Sequence, residues 1–142
     1  MNVIYEKIYN VERDDYANAG LVSSLIKQSL RTIGISPAVS RRVAVAVYEA
    51  EINMIIHAYG GTITLQISDD GMIRLIAKDK GPGIPDIEKA LTPGFSTASK
   101  KAMELGFGAG MGLPNIKRNA DEFSIESSPA GTTLDLKFQE RE

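Results

Sequence analysis

The sequence predicts an α/β (α+β) two-layer sandwich, with a mixed, largely antiparallel sheet carrying helices on one face. Three features lead to this fold class. One stretch, from about Asp15 to Ile33, places apolar residues at three- and four-residue steps, the spacing of an amphipathic helix. Two pairs of alternating stretches are joined by short turn signals, as in β-hairpins. One helical stretch is apolar on nearly all sides past Val43, so it must be covered by neighbours on more than one face.

The elements follow in order. Val3 to Val11 mixes apolar and polar residues and reads as an edge strand. From about Asp15 to Ile33, residues Ala19, Val22, Leu25, Ile26 and Leu30 trace a helix, which Gly34 ends. Ser36 and Pro37 cap and open a second helix that runs to about Ala58 and stops at Gly60-Gly61. Thr62 to Ser68 alternates, with Ile63, Leu65 and Ile67 on one face and Thr62, Thr64 and Gln66 on the other. Asp69-Asp70-Gly71 is a turn, and Met72 to Asp79 is the returning arm. From Lys80 to about Met111 glycine and proline are dense, with a short helix at Asp86 to Leu91. Gly112 to Ala120 reads as a helix. Phe123 to Glu126 and Thr132 to Phe138 read as a closing hairpin with Leu134, Leu136 and Phe138 facing inward. All 142 residues fit one domain.

Composition narrows the function classes. A net charge of -2 argues against a nucleic-acid partner, which calls for a basic patch. The absence of cysteine excludes disulfides and thiolate metal sites, and a single histidine excludes a His-rich metal centre. No run of about 18 apolar residues is present, so no membrane span is expected. Met1 to Arg13 carries charges and no apolar signal core, so the expected location is the cytoplasm.

Polar residues on the second helix are the first candidates for chemistry. Glu49, Asn53 and His57 recur every fourth residue and share one face. A buried glutamate and asparagine are costly unless they are paired or coordinate something. Their oxygens suit Mg²⁺, and the glutamate suits proton abstraction from an attacking hydroxyl. A solvated helix edge or a satisfied polar pair fits the same spacing. Glu51 is rotated well away and is expected to be exposed; His57 is expected to be structural.

Two glycine-rich segments supply the rest. Asp79 ends a strand and leads into Lys80-Gly81-Pro82-Gly83-Ile84-Pro85. A carboxylate there suits an exocyclic amine such as that of adenine, and the glycines allow a flat ring to approach the backbone. A plain turn has the same composition. Gly106, Gly108, Gly110 and Gly112 alternate up to a helix start, an arrangement that offers backbone N–H groups to phosphates; a flexible loop also fits. No Gly-Lys-Ser/Thr closes the segment, so it is not a P-loop. A loop of about 30 residues inside a compact domain points to a functional lid.

The three elements in this order resemble a known superfamily over nearly the whole chain. Glu49-Ala50-Glu51-Ile52-Asn53 with Met54 to Tyr59 resembles the N box of the histidine-kinase-like (GHKL, Bergerat-fold) ATPases. Asp79-Lys80-Gly81-Pro82-Gly83 resembles the G1 box, Gly108-Ala109-Gly110-Met111-Gly112-Leu113 the G2 box, and Gly131-Thr132-Thr133 the adenine-side turn. Within the superfamily, Gly81 to Ile87, Gly94-Phe95-Ser96-Thr97, Pro114, Lys117-Arg118 and Asp121-Glu122-Phe123 are similar to the anti-sigma-factor serine/threonine kinases, especially the stressosome switch kinases.

The resemblance implies a protein kinase that uses ATP and Mg²⁺ and acts on a STAS-domain protein. A sigma factor or a phosphatase would be a further partner. It implies that Glu49 is the general base and that Asn53 holds Mg²⁺. Asp79 would read the adenine amine with Thr132 or Thr133, while Gly81, Gly83 and Ile84 would lie against the base. Gly108, Ala109, Gly110, Met111, Gly112 and Leu113 would wrap the phosphates, and Thr97 would lie in a lid spanning about residues 92–112. The lid between Thr97 and Gly106 is long for this group and lacks arginine. Lys100 or Lys101 would stand in as a point charge, or would form a solvated pair on the lid. The alternative function is a nucleotide-gated binding protein that sequesters a sigma factor or activates a phosphatase without essential phosphotransfer. Leu21 or Val22 on the first helix would offer a homodimer contact.

Overall fold

The structure is a computed structural model and describes residues 2–84, 86–93 and 112–140. Five strands form one sheet in the order β1-β2-β3-β5-β4, where β1 is Val3–Val11, β2 Gly61–Ser68, β3 Ile73–Asp79, β4 Glu122–Ser128 and β5 Gly131–Phe138. Every pairing among the described residues is antiparallel, so the sheet expected to be largely antiparallel is wholly so there. The expected edge strand is β1.

Strand alternation builds the core. Ile63, Leu65 and Ile67 from β2, Ile73, Leu75 and Ala77 from β3, and Leu134, Leu136 and Phe138 from β5 are all buried. Burying these side chains on one face of the sheet supplies most of the driving force, at about 1.5–3 kcal/mol for each large aliphatic or aromatic residue. Helices α1 (Leu21–Ile33) and α2 (Pro37–His57) cover this core, and α4 (Gly112–Asn119) packs on α2. A short α3 (Ile87–Ala90) is capped by Asp86, whose carboxylate accepts the Lys89 N–H at 3.0 Å.

The first helix starts later than its periodicity indicates. Tyr16–Asn18 form a single turn of 3-10 helix, and Gly20, at φ 93°, breaks the chain before α1 begins. Gly34, at φ 94°, ends α1 as expected. Val22 is buried at 6% exposure, which removes it as a dimer contact, whereas Leu21 is 50% exposed. Ser36 caps α2 by accepting the Val39 N–H at 3.3 Å, with Pro37 in the first position.

Candidate active site

Helix α2 presents Glu49 and Asn53, both half-buried, one turn apart. The start of α4 meets them. A β-carbon built on Gly112 would lie 3.1 Å from Asn53 Oδ1, 3.2 Å from its Nδ2 and 3.4 Å from Glu49 Oε2. Residue 112 is therefore glycine in a place where a side chain would press on the Asn53 amide and touch Glu49. From the first turns of α4, Asn115 Nδ2 donates to Glu49 Oε1 at 3.3 Å. The far end of α4 is fixed by Arg42 of α2. Its guanidinium donates to the Asn119 carbonyl at 3.1 Å, to Asp121 Oδ2 at 3.1 Å and to the Gln139 carbonyl at 2.5 Å.

The second half of the site is sewn between β3 and the β4–β5 turn. Asp79 Oδ1 accepts the Gly81 N–H and the Thr132 N–H, both at 2.9 Å. Ser127 Oγ accepts the Ile84 N–H at 2.7 Å and lies 2.7 Å from Thr132 Oγ1. Gly81 and Gly83 have φ of 105° and 91°. A β-carbon at Gly81 would strike the Pro129 carbonyl at 2.7 Å, and one at Gly83 the Ser128 carbonyl at 2.1 Å. On the side where a side chain would project, the room these glycines make is filled by the β4–β5 turn. The loop is also tied to the end of α2, because the Tyr59 N–H donates to the Gly81 carbonyl at 2.9 Å.

Strand alternation separates the two threonines. Thr132 is buried at 6% exposure and joins Asp79, while Thr133 lies on the opposite, open face of the sheet and is corrected away from this cluster. Leu113 is buried and packs in the core. Ile84 is half-buried beside Ser127. Thr97, Gly108, Ala109, Gly110 and Met111, together with Lys100, Lys101 and most of the expected lid, lie outside the described residues. At the last turn of α2, His57 is exposed, and partial desolvation by its surroundings holds the imidazole below its usual pKa.

Glu51 overturns its expectation. It is 2% exposed and accepts the backbone N–H groups of Gly20, Val22 and Ser23 at 3.2 Å each. The start of α1 carries no side-chain cap of its own, so Glu51 satisfies its orphan donors from the neighbouring helix. Burial pushes its carboxyl pKa up, and the three backbone donors pull against that shift. Asn115, Ser127 and Arg42 were also not singled out from sequence. A polar residue on a helix that is apolar on nearly all sides past Val43 was the available signal for Glu51. The others emerge only once the elements are packed.

The family described as "Histidine kinase-like ATPase domain" matches residues 13–138. The chain belongs to this family. Among relatives of this ATPase domain, the serine/threonine-protein kinase RsbT of Bacillus subtilis is 38% identical over 100 residues, covering 68% of this chain and 69% of that protein. The anti-sigma F factor of Geobacillus stearothermophilus is 40% identical over 97 residues, covering 64% of this chain and 63% of that protein, a little under two thirds of its length. The fold is shared with the RsbU and RsbW domains of a Mycobacterium tuberculosis protein, at TM-score 0.63 and 18% identity over 95% of this chain and 33% of that one. It is also shared with the SiaB-SiaC complex from Pseudomonas aeruginosa, at TM-score 0.60 and 14% identity over 96% of this chain and 89% of that one.

Proposed function

We propose that this histidine-kinase-like ATPase domain is a serine/threonine protein kinase that transfers the γ-phosphoryl group of ATP to a STAS-domain protein. The observation that carries the reading is the convergence of Glu49 Oε2 and Asn53 Oδ1 on the start of α4 at Gly112. The kinase and anti-sigma names of its relatives support it.

The donor set fits Mg²⁺. Among the described residues no cluster of three acidic or histidine side chains exists, so the protein offers only a few oxygens. Magnesium beside phosphates takes one or two protein oxygens and keeps its waters. Asn53 Oδ1 would hold the ion, which when bound neutralises charge on the β- and γ-phosphates. Glu49 Oε2 accepts the proton of the partner's serine or threonine hydroxyl. As that oxygen bonds to the γ-phosphorus, the bond from phosphorus to the β,γ-bridging oxygen breaks and ADP leaves. Asp79 Oδ2, which has no donor among the described residues, accepts from the adenine amine. Because the groups are held by packed helices and strands, catalysis is mostly positioning.

The anti-sigma F factors among its relatives favour a second reading, in which nucleotide gates binding of a sigma factor and phosphotransfer is incidental. We place the protein in the cytoplasm as one domain; no helix among the described residues is long and apolar enough to cross a membrane. The test is to incubate the chain with Mg-ATP and the STAS-domain proteins of its source genome and to read mass shifts, with Glu49→Ala as control. One added phosphate on a serine or threonine, lost with Glu49→Ala, is the expected result. Clear Mg-ATP binding with no transfer to any candidate would overturn the kinase reading in favour of the second.

A further inference from the structure

We infer that Asn115 is a positioning residue for Glu49, fixing one oxygen of the base so that the other is held toward Asn53. Asn115 Nδ2 donates to Oε1 at 3.3 Å, whereas Oε2 faces Gly112 beside Asn53. Asn115 is the only donor to Glu49 among the described residues. A half-buried glutamate has three rotatable side-chain bonds, so without that donor its carboxylate samples several orientations. Proton abstraction needs one of them.

The donor itself stands on a rigid element. Asn119 Nδ2 donates to the Asn115 carbonyl at 2.8 Å, and Arg42 clamps the Asn119 carbonyl and Asp121 to α2. The side chains of that clamp are largely buried, at 14% exposure for Arg42 and 18% for Asp121. Gly112 and Asn115 are on one helical turn, so the surface that abuts Asn53 and the amide that holds Glu49 keep a constant separation. An amide suits this task better than a charged group. It donates at every pH, and a carboxylate in its place would repel Glu49.

This inference rests on the reading of Glu49 as the base, and the experiment separates the two. Glu49→Gln, Asn115→Ala, Asn115→Gln and the double variant Glu49→Gln/Asn115→Ala are compared. Readouts are kcat and KM for ATP in transfer to a STAS-domain substrate, phosphate release from Mg-ATP alone, ADP affinity and thermal midpoint. Asn115→Ala is expected to lower kcat on the order of ten- to a hundredfold while KM and ADP affinity stay within about twofold. Asn115→Gln, which keeps the donor, recovers part of the loss. In the Glu49→Gln background, Asn115→Ala has no further effect, because a residue acting only through Glu49 has nothing left to position.

Three outcomes overturn it. The first is an unchanged kcat in Asn115→Ala when Glu49→Gln abolishes transfer. The second is an equal Asn115→Ala loss in both backgrounds. The third is a fall in kcat, ADP affinity and thermal midpoint together with no recovery in Asn115→Gln, the mark of a helix–helix staple. If Glu49→Gln leaves transfer intact, the base assignment itself fails and the positioning role falls with it.

Discussion

Asp79 and Thr132 stand 53 residues apart in the chain and are joined by one hydrogen bond, from the Thr132 backbone N–H to Asp79 Oδ1 at 2.9 Å. The same oxygen accepts the Gly81 N–H at 2.9 Å, so the fold consumes Oδ1 and leaves Oδ2 without a donor among the described residues. Asp79→Asn tests that division of labour. An asparagine keeps its carbonyl on the two backbone donors and places an NH₂ where Oδ2 was. A donor then faces the adenine amine, itself a donor. Folding is expected to be little changed and ADP affinity to fall about ten- to a hundredfold, the effect of an unmatched polar group in a binding site. Calorimetric titration with ADP, together with a thermal midpoint, checks both halves.

Glu51 gives a stability prediction with a defined pH dependence. Glu51→Ala leaves the N–H groups of Gly20, Val22 and Ser23 without their acceptor at a buried helix start. The expected loss is about 3 kcal/mol in urea unfolding. Burial raises the carboxyl pKa in the folded state, so the folded protein binds its proton more tightly than the unfolded chain does. Stability contributed by that proton is present at low pH and is lost as pH rises through the raised value. The unaltered chain should therefore lose stability relative to Glu51→Gln as pH climbs upward from the ordinary carboxylate range, then run level. Urea midpoints at a series of pH values read this directly; an opposite slope would sink it.

Much of this fold could be read from the chain because strands and caps leave local signals. Ile63, Leu65 and Ile67 alternate, Asp69-Asp70-Gly71 turns, and Ser36-Pro37 opens a helix, and each of these holds in three dimensions. Glu49 and Asn53 were legible for the same reason, since helical spacing alone puts them on one face. The burial of Glu51 is not legible in helical spacing, because it depends on α1 beginning against that side of α2. The glycines at 81 and 83 are legible as turn glycines, but the surface that packs on their Cβ side belongs to a hairpin nearly fifty residues away. Thr132 and Thr133 became distinguishable only through the register of β5 on β3.

A pair on the open face of the sheet gives the opposite pH slope from Glu51. Arg74 Nε donates to Asp135 Oδ1 at 2.9 Å and Nη2 to Oδ2 at 2.5 Å, a two-pronged contact between β3 and β5. Arg74 holds the Asp135 carboxyl below the usual carboxylate range. A depressed carboxylate contributes stability above its unfolded pKa, and that contribution disappears as pH falls through the folded value. Both side chains are about a third exposed, so the pair is expected to contribute only about 0.5–1 kcal/mol after solvent screening. A double-mutant cycle with Arg74→Ala and Asp135→Ala should return that coupling at neutral pH. The coupling should shrink below about pH 4 and at high salt. A coupling unchanged across that pH range would show that the contact is not ionic in effect.

Gly112→Ala separates folding from chemistry at the start of α4. The residue is helical and its φ is not in the left-handed region, so alanine is allowed there and is the better helix former, by up to about 1 kcal/mol. Its new β-carbon would nevertheless stand 3.1 Å from Asn53 Oδ1, tight enough that the Asn53 amide must shift by a few tenths of an ångström. Glu49 Oε2, 3.4 Å away, is in ordinary contact and need not move. The variant is therefore expected to melt at or slightly above the unaltered chain while its phosphotransfer falls about tenfold, since small displacements of a positioned group are costly to rate. If Asn53 is the residue that holds Mg²⁺, the variant's activity should also need a higher magnesium concentration for half-maximal rate. Titrating Mg²⁺ at fixed ATP in both proteins reads this. A variant with full activity and an unshifted magnesium requirement would mean that the approach of Gly112 to Asn53 has no bearing on the reaction.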